Sequence, residues 1–269
     1  MRRWMRGVAS LLVVGLLALG LFLHGSELAR GERPVSIHPP GVLGVVFNMG
    51  VAPKALPAER PSPVSFSFSM KVRVDDESAP PALREVVLRL DRGVVFSTDG
   101  LPICRRSSLV GLDMRAIERV CGDAIVGSGG SEFVYTGPPI GPVAGTAGGL
   151  LVLNGGVQGG ATKLYAVDTS SPTNSAVVTM PIEVKRVARQ GVRLTLEVPE
   201  SAGSRGALTD LSIYFAEAAG VLRARCQDGD LGVRVEDRFA DGTYFAGAMS
   251  RKCVVKPARR TSLAKQPVR

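Results

Sequence analysis

Few residues in this chain have the types and spacing that chemistry needs. Histidine is the usual proton shuttle near neutral pH and the commonest metal ligand. The sequence holds two, His24 and His38, and none from residue 39 onward. A Ser-His-Asp triad, a Cys-His pair and a His-based zinc site therefore cannot be assembled in the body of the chain. Ala202-Gly-Ser204-Arg-Gly206 looks like a degraded nucleophile elbow without a base, and reads as a loop. Gly155–Lys163 lacks the contiguous Gly-Lys-Ser/Thr of a phosphate loop. Carboxylate chemistry stays open. Asp210, Glu217, Glu236 and Asp237 are the candidate acids for a glycosidase pair, but no spacing rule selects two of them. Asp228 and Asp230, beside Cys226, are the one pair offered to Ca²⁺, and they lack the further acids at fixed offsets that a Ca²⁺ loop supplies. No catalytic residue and no cofactor is expected.

The four cysteines, Cys104, Cys121, Cys226 and Cys253, are too widely spaced for a thiolate zinc site. An even count in an exported chain reads as disulfides, and four cysteines allow three connectivities. The two local closures, Cys104–Cys121 and Cys226–Cys253, are favoured.

Export is expected from the N-terminus. Residues 1–7 are basic, residues 8–23 form an apolar run, and polarity returns at His24, Ser26, Glu27 and Arg30. That order is the pattern of a secretory signal. The run is shorter than the roughly 20 residues of a comfortable membrane span. Residues 1–30 are therefore read as a signal peptide or an uncleaved signal-anchor. Either places the bulk of the chain outside, in a secreted form or on the extracellular face of the membrane. Any contact with the membrane is expected through this segment alone.

The formal charge of +9 sits at the ends. Three positive charges lie in residues 1–6 and seven in residues 251–269, leaving residues 7–250 at −1. Aromatics are 5% of the chain, and the single Trp, Trp4, is in the leader. A nucleic-acid partner is not expected, since such a domain should show a basic face with stacking or base-reading groups. The segment 257–269 reads as a basic disordered tail, with adhesion to anionic polymers as its functional reading.

Gly (32) and Pro (18) make up roughly 19% of the 269 residues, against about 12% in average usage. Turns must be frequent and long helices scarce. Residues 31–63 carry many prolines and read as a linker or arm, with Val42–Phe47 as an edge strand. From Val64 to Val74 apolar and polar residues alternate without a break, the signature of a half-buried strand. Short segments bounded by Gly, Pro, Asn or Asp then recur to residue 255. They define an all-β domain over 64–256, an antiparallel β-sandwich of about ten to twelve strands. One short helix is expected over Met114–Val120, capped by Asp113, with Ile117 and Val120 facing inward. The Gly-rich stretch 137–160 reads as a surface loop bracketing a strand at Leu150–Leu153.

The segment Gly100-Leu-Pro-Ile-Cys104, the second cysteine at Cys121, the strand Ala124-Ile-Val-Gly127 and the step Leu153-Asn-Gly155 resemble a group of exported β-rich actinobacterial proteins. That group carries a Gly-Leu-Pro-x-Cys segment and two cysteine pairs and has no assigned activity. The likeness covers about residues 64–256. It departs at the Cys226 turn, which is acidic rather than Pro-rich. It implies export, two local disulfides and an all-β fold, and carries over no catalytic residue. The function expected is a non-catalytic binding or structural role at the cell envelope, with an envelope polymer or protein as partner. A secreted carbohydrate-active hydrolase using a carboxylate pair is the alternative.

Overall fold

The computed structural model describes residues 34–37, 43–75, 79–137, 141–168, 177–188, 190–199 and 205–256. The chain divides into two compact units, Met1–Arg30 and Gly31–Arg269, and every described residue belongs to the second. The leader and the basic tail lie outside the described residues.

The strands in chain order are β1 (Val35–Ile37), β2 (Leu43–Ala52), β3 (Ala55–Leu56), β4 (Ser62–Pro63), β5 (Ser65–Val74), β6 (Leu83–Leu90) and β7 (Val94–Phe96). After helix α1 (Met114–Cys121) come β8 (Ile125–Gly137), β9 (Gly141–Gln158), β10 (Ala161–Asp168), β11 (Val178–Val187) and β12 (Gly191–Glu197). The chain then forms β13 (Arg205–Phe215), β14 (Leu222–Ala224), β15 (Asp230–Phe239), β16 (Tyr244–Lys252) and β17 (Val254–Val255). Twelve strands make one antiparallel sheet in the order β1-β2-β5-β13-β8-β9-β10-β11-β12-β6-β15-β16. Two small sheets, β4-β14-β7 and the parallel pair β17-β3, lie beside it.

The all-β antiparallel class with one short helix is as expected, but the sandwich is not. One sheet curls until its edges nearly meet. Bulges on β6, β8, β9 and β13 add local twist, which helps the sheet curl. The closing seam is made by side chains. Gly247 on β16 faces Ile37 of β1 so closely that a Cβ there would stand 2.8 Å from Ile37 Cδ1. Arg251 on β16 is buried and reaches β2, donating from Nε to the Met49 carbonyl oxygen (2.6 Å) and from Nη2 to Asn48 Oδ1 (2.8 Å).

Alternation on each strand fills the inside of the sheet. On β5, Phe66, Phe68, Met70 and Val72 are buried while Ser65, Ser67, Ser69 and Lys71 face outward. Their core partners include Leu88, Ile182 and Leu194. Each such side chain contributes about 1.5–3 kcal/mol on burial. The interior retains an apolar void of about 20 Å³, room for roughly one water and no ligand. An apolar inside with a charged outside is the inverse of a water-filled membrane barrel.

The expected arm over residues 31–63 is corrected from Leu43 onward. β2 pairs along its full length with β5, and Phe47 is fully buried. The Gly-rich loop expected over 137–160 is likewise a strand, β9. Glycine is tolerated there because neighbours approach closely: a Cβ on Gly155 would lie 2.6 Å from the Tyr165 ring.

Helix α1 begins where expected, with the Asp113 carboxylate accepting from the Ala116 N–H at 2.7 Å. Ile117 is buried against Leu153, Tyr165 and Val167 on the outer side of β9 and β10. Val120, expected inward, is 64% exposed. It lies three residues past Ile117, about 60° farther round the helix, and the short helix touches the sheet along one narrow line.

Candidate binding surface on the outer face of the sheet

The core-facing residues of β11, β12, β6 and β15 leave the intervening positions on the outer face. Those positions are strongly charged. Lys185 stands opposite Arg193, Arg193 opposite Arg89, and Arg89 opposite Arg234. Four cations thus form one register row across four consecutive strands. In the next row Glu183 stands opposite Thr195, Thr195 opposite Val87, and Val87 opposite Glu236. Like charges directly opposite each other destabilise a sheet. The row is a cost unless something offsets it.

The carboxylates offset part of it. Arg89 Nε donates to Glu236 Oε1 at 2.7 Å. That bond holds the Glu236 carboxyl below the usual carboxylate range and raises the Arg89 guanidinium. Glu183 lies between Lys163 and Lys185, and their hydrogen bonds likewise hold it down. Arg193 and Arg234 take part in no ion pair among the described residues. The Arg193 Nε is buried without a hydrogen-bond partner among the described residues. An open groove of about 1030 Å³ runs along this face, with Arg89, Arg92, Arg234, Gln190, Glu236 and Ser250 on its walls.

A second groove, of about 620 Å³, lies beside the segment that follows β7. Its wall is pinned by Asn154, which is 1% exposed. The Asn154 amide donates to the Pro102 carbonyl oxygen at 2.8 Å, and its Oδ1 accepts from Gly156 N–H at 3.0 Å. The Asn154 carbonyl accepts from Cys104 N–H at 2.8 Å. Cys104 is bonded in turn to Cys121. The Gly-Leu-Pro-x-Cys segment and the Leu-Asn-Gly step are therefore one structural unit. Ile103 and Val157 stand exposed at its rim, next to Arg105 and Arg106.

Both expected disulfides are formed, Cys104–Cys121 with Cα atoms 5.4 Å apart and Cys226–Cys253 at 5.8 Å, and no cysteine is free. The second ties the end of β14 to the start of β17. Val254 N–H donates to the Lys54 carbonyl, and Cys226 N–H to that of Pro57.

The sequence-derived acids scatter. Asp228 pairs with Arg92 at 2.9 Å and Asp230 with Lys252 at 3.1 Å. Among the described residues no group of three or more His, Cys, Asp and Glu side chains is placed to hold a metal ion. Asp210 meets Lys71 at 3.4 Å, and Glu217 opens a 3-10 turn after β13. Glu236 and Asp237 are neighbours on β15 and so face opposite sides of the sheet. Glu236 belongs to the charged face. Asp237 is buried inside, neither of its oxygens has a hydrogen-bond partner among the described residues, and desolvation pushes its pKa up to about 8.

Sequence reasoning missed the cation row. Its three arginines sit between apolar residues, in Leu88-Arg-Leu90, Val192-Arg-Leu194 and Val233-Arg-Val235, and Lys185 lies between Val184 and Arg186. That pattern shows that each arginine faces outward, but only strand register lines them up.

No protein-family model matches the chain, and no curated protein sequence matches it. A solved structure whose description reads "AvmM Catalyzes Macrocyclization in Alchivemycin A Biosynthesis" aligns over 84% of this chain and 98% of that one, at 10% identity and a TM-score of 0.26. A superposition that loose defines neither a shared fold nor a shared activity.

Proposed function

We propose that this protein is an exported, disulfide-stapled β-barrel with a non-catalytic binding or structural role at the cell envelope. The observation that carries the reading is that all four cysteines are spent in two buried bridges within the barrel unit. Such pairing belongs to oxidising compartments outside the cytosol. The basic-then-apolar order of residues 1–23 supports the same address. A binding role is supported by the outer face, where charge and two open grooves coincide.

Intact mass from the native host, with thiol alkylation before and after reduction, tests the address. The expected result is no alkylation until reduction and four labels after it. Free thiols in the native protein would overturn the reading. Retention of the purified chain on isolated cell envelopes tests the role, and absence of retention would count against it.

A further inference from the structure

We propose that the cation row across β11, β12, β6 and β15 is a binding site for a linear phosphodiester polymer, gripped by Arg193 and Arg234 on either side of the Arg89–Glu236 pair. The inference rests on the envelope-binding reading and names its ligand class and its residues.

Three observations support it. The first is register: Lys185, Arg193, Arg89 and Arg234 are successive cross-strand neighbours. With strands about 4.8 Å apart, the row spans roughly 14 Å. It lies across the strands, so a chain laid along it would meet one cation per strand. The second is incomplete neutralisation. Lys185 and Arg89 are held by Glu183 and Glu236. Arg193 and Arg234, two strands apart, form no ion pair among the described residues; Arg193 acts on Glu236 only through space, and its buried Nε has no hydrogen-bond partner among those residues. A guanidinium fork presents paired donors that match a phosphate group. The third is shape. The row opens at Arg89 and Arg234 onto a groove of about 1030 Å³, whose walls also carry Arg92, Asp91, Asp228 and Glu236; Arg193 and Lys185 continue the row beyond it. A flexible polymer enters such a groove and a planar bilayer does not. The carboxylates Glu183 and Glu236 lie in the adjacent row, on one flank of the cations, and would repel anions that stray to that side.

The test uses the full chain and a synthetic poly(glycerol phosphate) oligomer, titrated at several salt concentrations. Three proteins are compared: the parent, the double variant Arg193→Gln/Arg234→Gln, and Arg115→Gln/Arg119→Gln, which removes the same charge from exposed positions on α1. The expected result is a loss of about tenfold or more in affinity for the row variant. The dependence of log affinity on log salt should also become shallower by about two, one per lost phosphate contact. The α1 variant should stay within about twofold of the parent. The row variant should melt no lower than the parent, because a like-charge row has been relieved. Equal losses in both variants would reduce the effect to net charge and overturn the site. Polygalacturonate bound as tightly as the oligomer would overturn the phosphodiester assignment. Phosphatidylglycerol vesicles bound with the same dependence on Arg193 and Arg234 would assign a membrane surface instead. If the row variant is retained on isolated envelopes as well as the parent, this site fails while the envelope reading stands. If the parent binds the oligomer but not envelopes, the envelope reading fails while the site stands.

Discussion

The side-chain amide of Asn154 donates to the carbonyl oxygen of Pro102 across 2.8 Å. This bond joins the C-terminal part of β9 to the loop that carries Cys104. Asn154 is buried, and its Oδ1 is also used by Gly156. Replacing it with Leu leaves the Pro102 carbonyl and the Gly156 N–H without their partner. Asn154→Leu should cost about 1–3 kcal/mol, read from the denaturant midpoint. Asn154→Asp keeps the acceptor but turns a carboxylate toward the Pro102 carbonyl, and should be worse near neutral pH. Both should speed reduction of Cys104–Cys121 by an added thiol. An unchanged reduction rate would mean the clamp does not hold the loop.

Asp237 should make stability depend on pH in one direction. Its ordinary pKa is 3.8 and burial raises it to about 8 in the folded chain. Below 3.8 both folded and unfolded states are protonated, so the group contributes nothing. Between 3.8 and about 8 only the folded state keeps the proton, and stability falls as pH rises. Above about 8 the full cost remains. Asp237→Asn removes the ionisation. The variant should match the parent near pH 4 and exceed it at pH 9 by on the order of a few kcal/mol. Chemical denaturation across that range checks both limits.

Arg251 on β16 ties that strand to β2 across the seam. Its three nitrogens reach Met49 O, Asn48 Oδ1 and Ser250 O. Arg251→Ala removes them together and leaves the Met49 carbonyl buried without that donor. The expected loss is about 2–4 kcal/mol. Amide hydrogen exchange should rise in β2 and β16 before it rises in β9 and β10. Uniform acceleration would mean that the seam does not open as a local unit.

The acid limb of stability should report the charged face. Glu236 and Glu183 are held below the usual carboxylate range by Arg89 and by Lys163 with Lys185. A lowered folded pKa contributes stability above the unfolded value and loses it as pH falls through the folded one. Glu236→Gln should flatten the decline of stability below about pH 4.5 relative to the parent. The change should be modest because the pair is partly exposed and screened.

The two bridges close loops of sequence separation 17 and 27. In the chain-entropy model these stabilise by about 3 and about 3.5 kcal/mol. Cys226→Ala/Cys253→Ala should also release the β17-β3 pair, whose strands are only two residues each. Proteolysis near Lys256 would then appear in the paired variant and not in the parent.

Local rules written in the sequence carry much of this architecture. The alternation from Val64 to Val74 determines β5 and its buried face, because side chains on a strand have a period of two. Asp113 and the apolar Ile117 determine where α1 starts and which side it buries. The cysteine spacings point to the two closures that form. Even Asp237 is legible as an anomaly, since Leu231, Val233, Val235 and Phe239 share its inward phase. Other features depend on which strands become neighbours. A strand of a sandwich and a strand of a barrel show the same alternation, so curling of one sheet in place of packing of two is decided by twist, bulges and the Gly247 and Arg251 seam. The arm and the Gly-rich loop became strands because β5, β8 and β10 offered ladders that local propensity does not weigh. The row of Lys185, Arg193, Arg89 and Arg234 joins residues as far apart as 89 and 234. Each is an ordinary outward cation in its own strand. Only register, a property of pairs of strands, brings them into line.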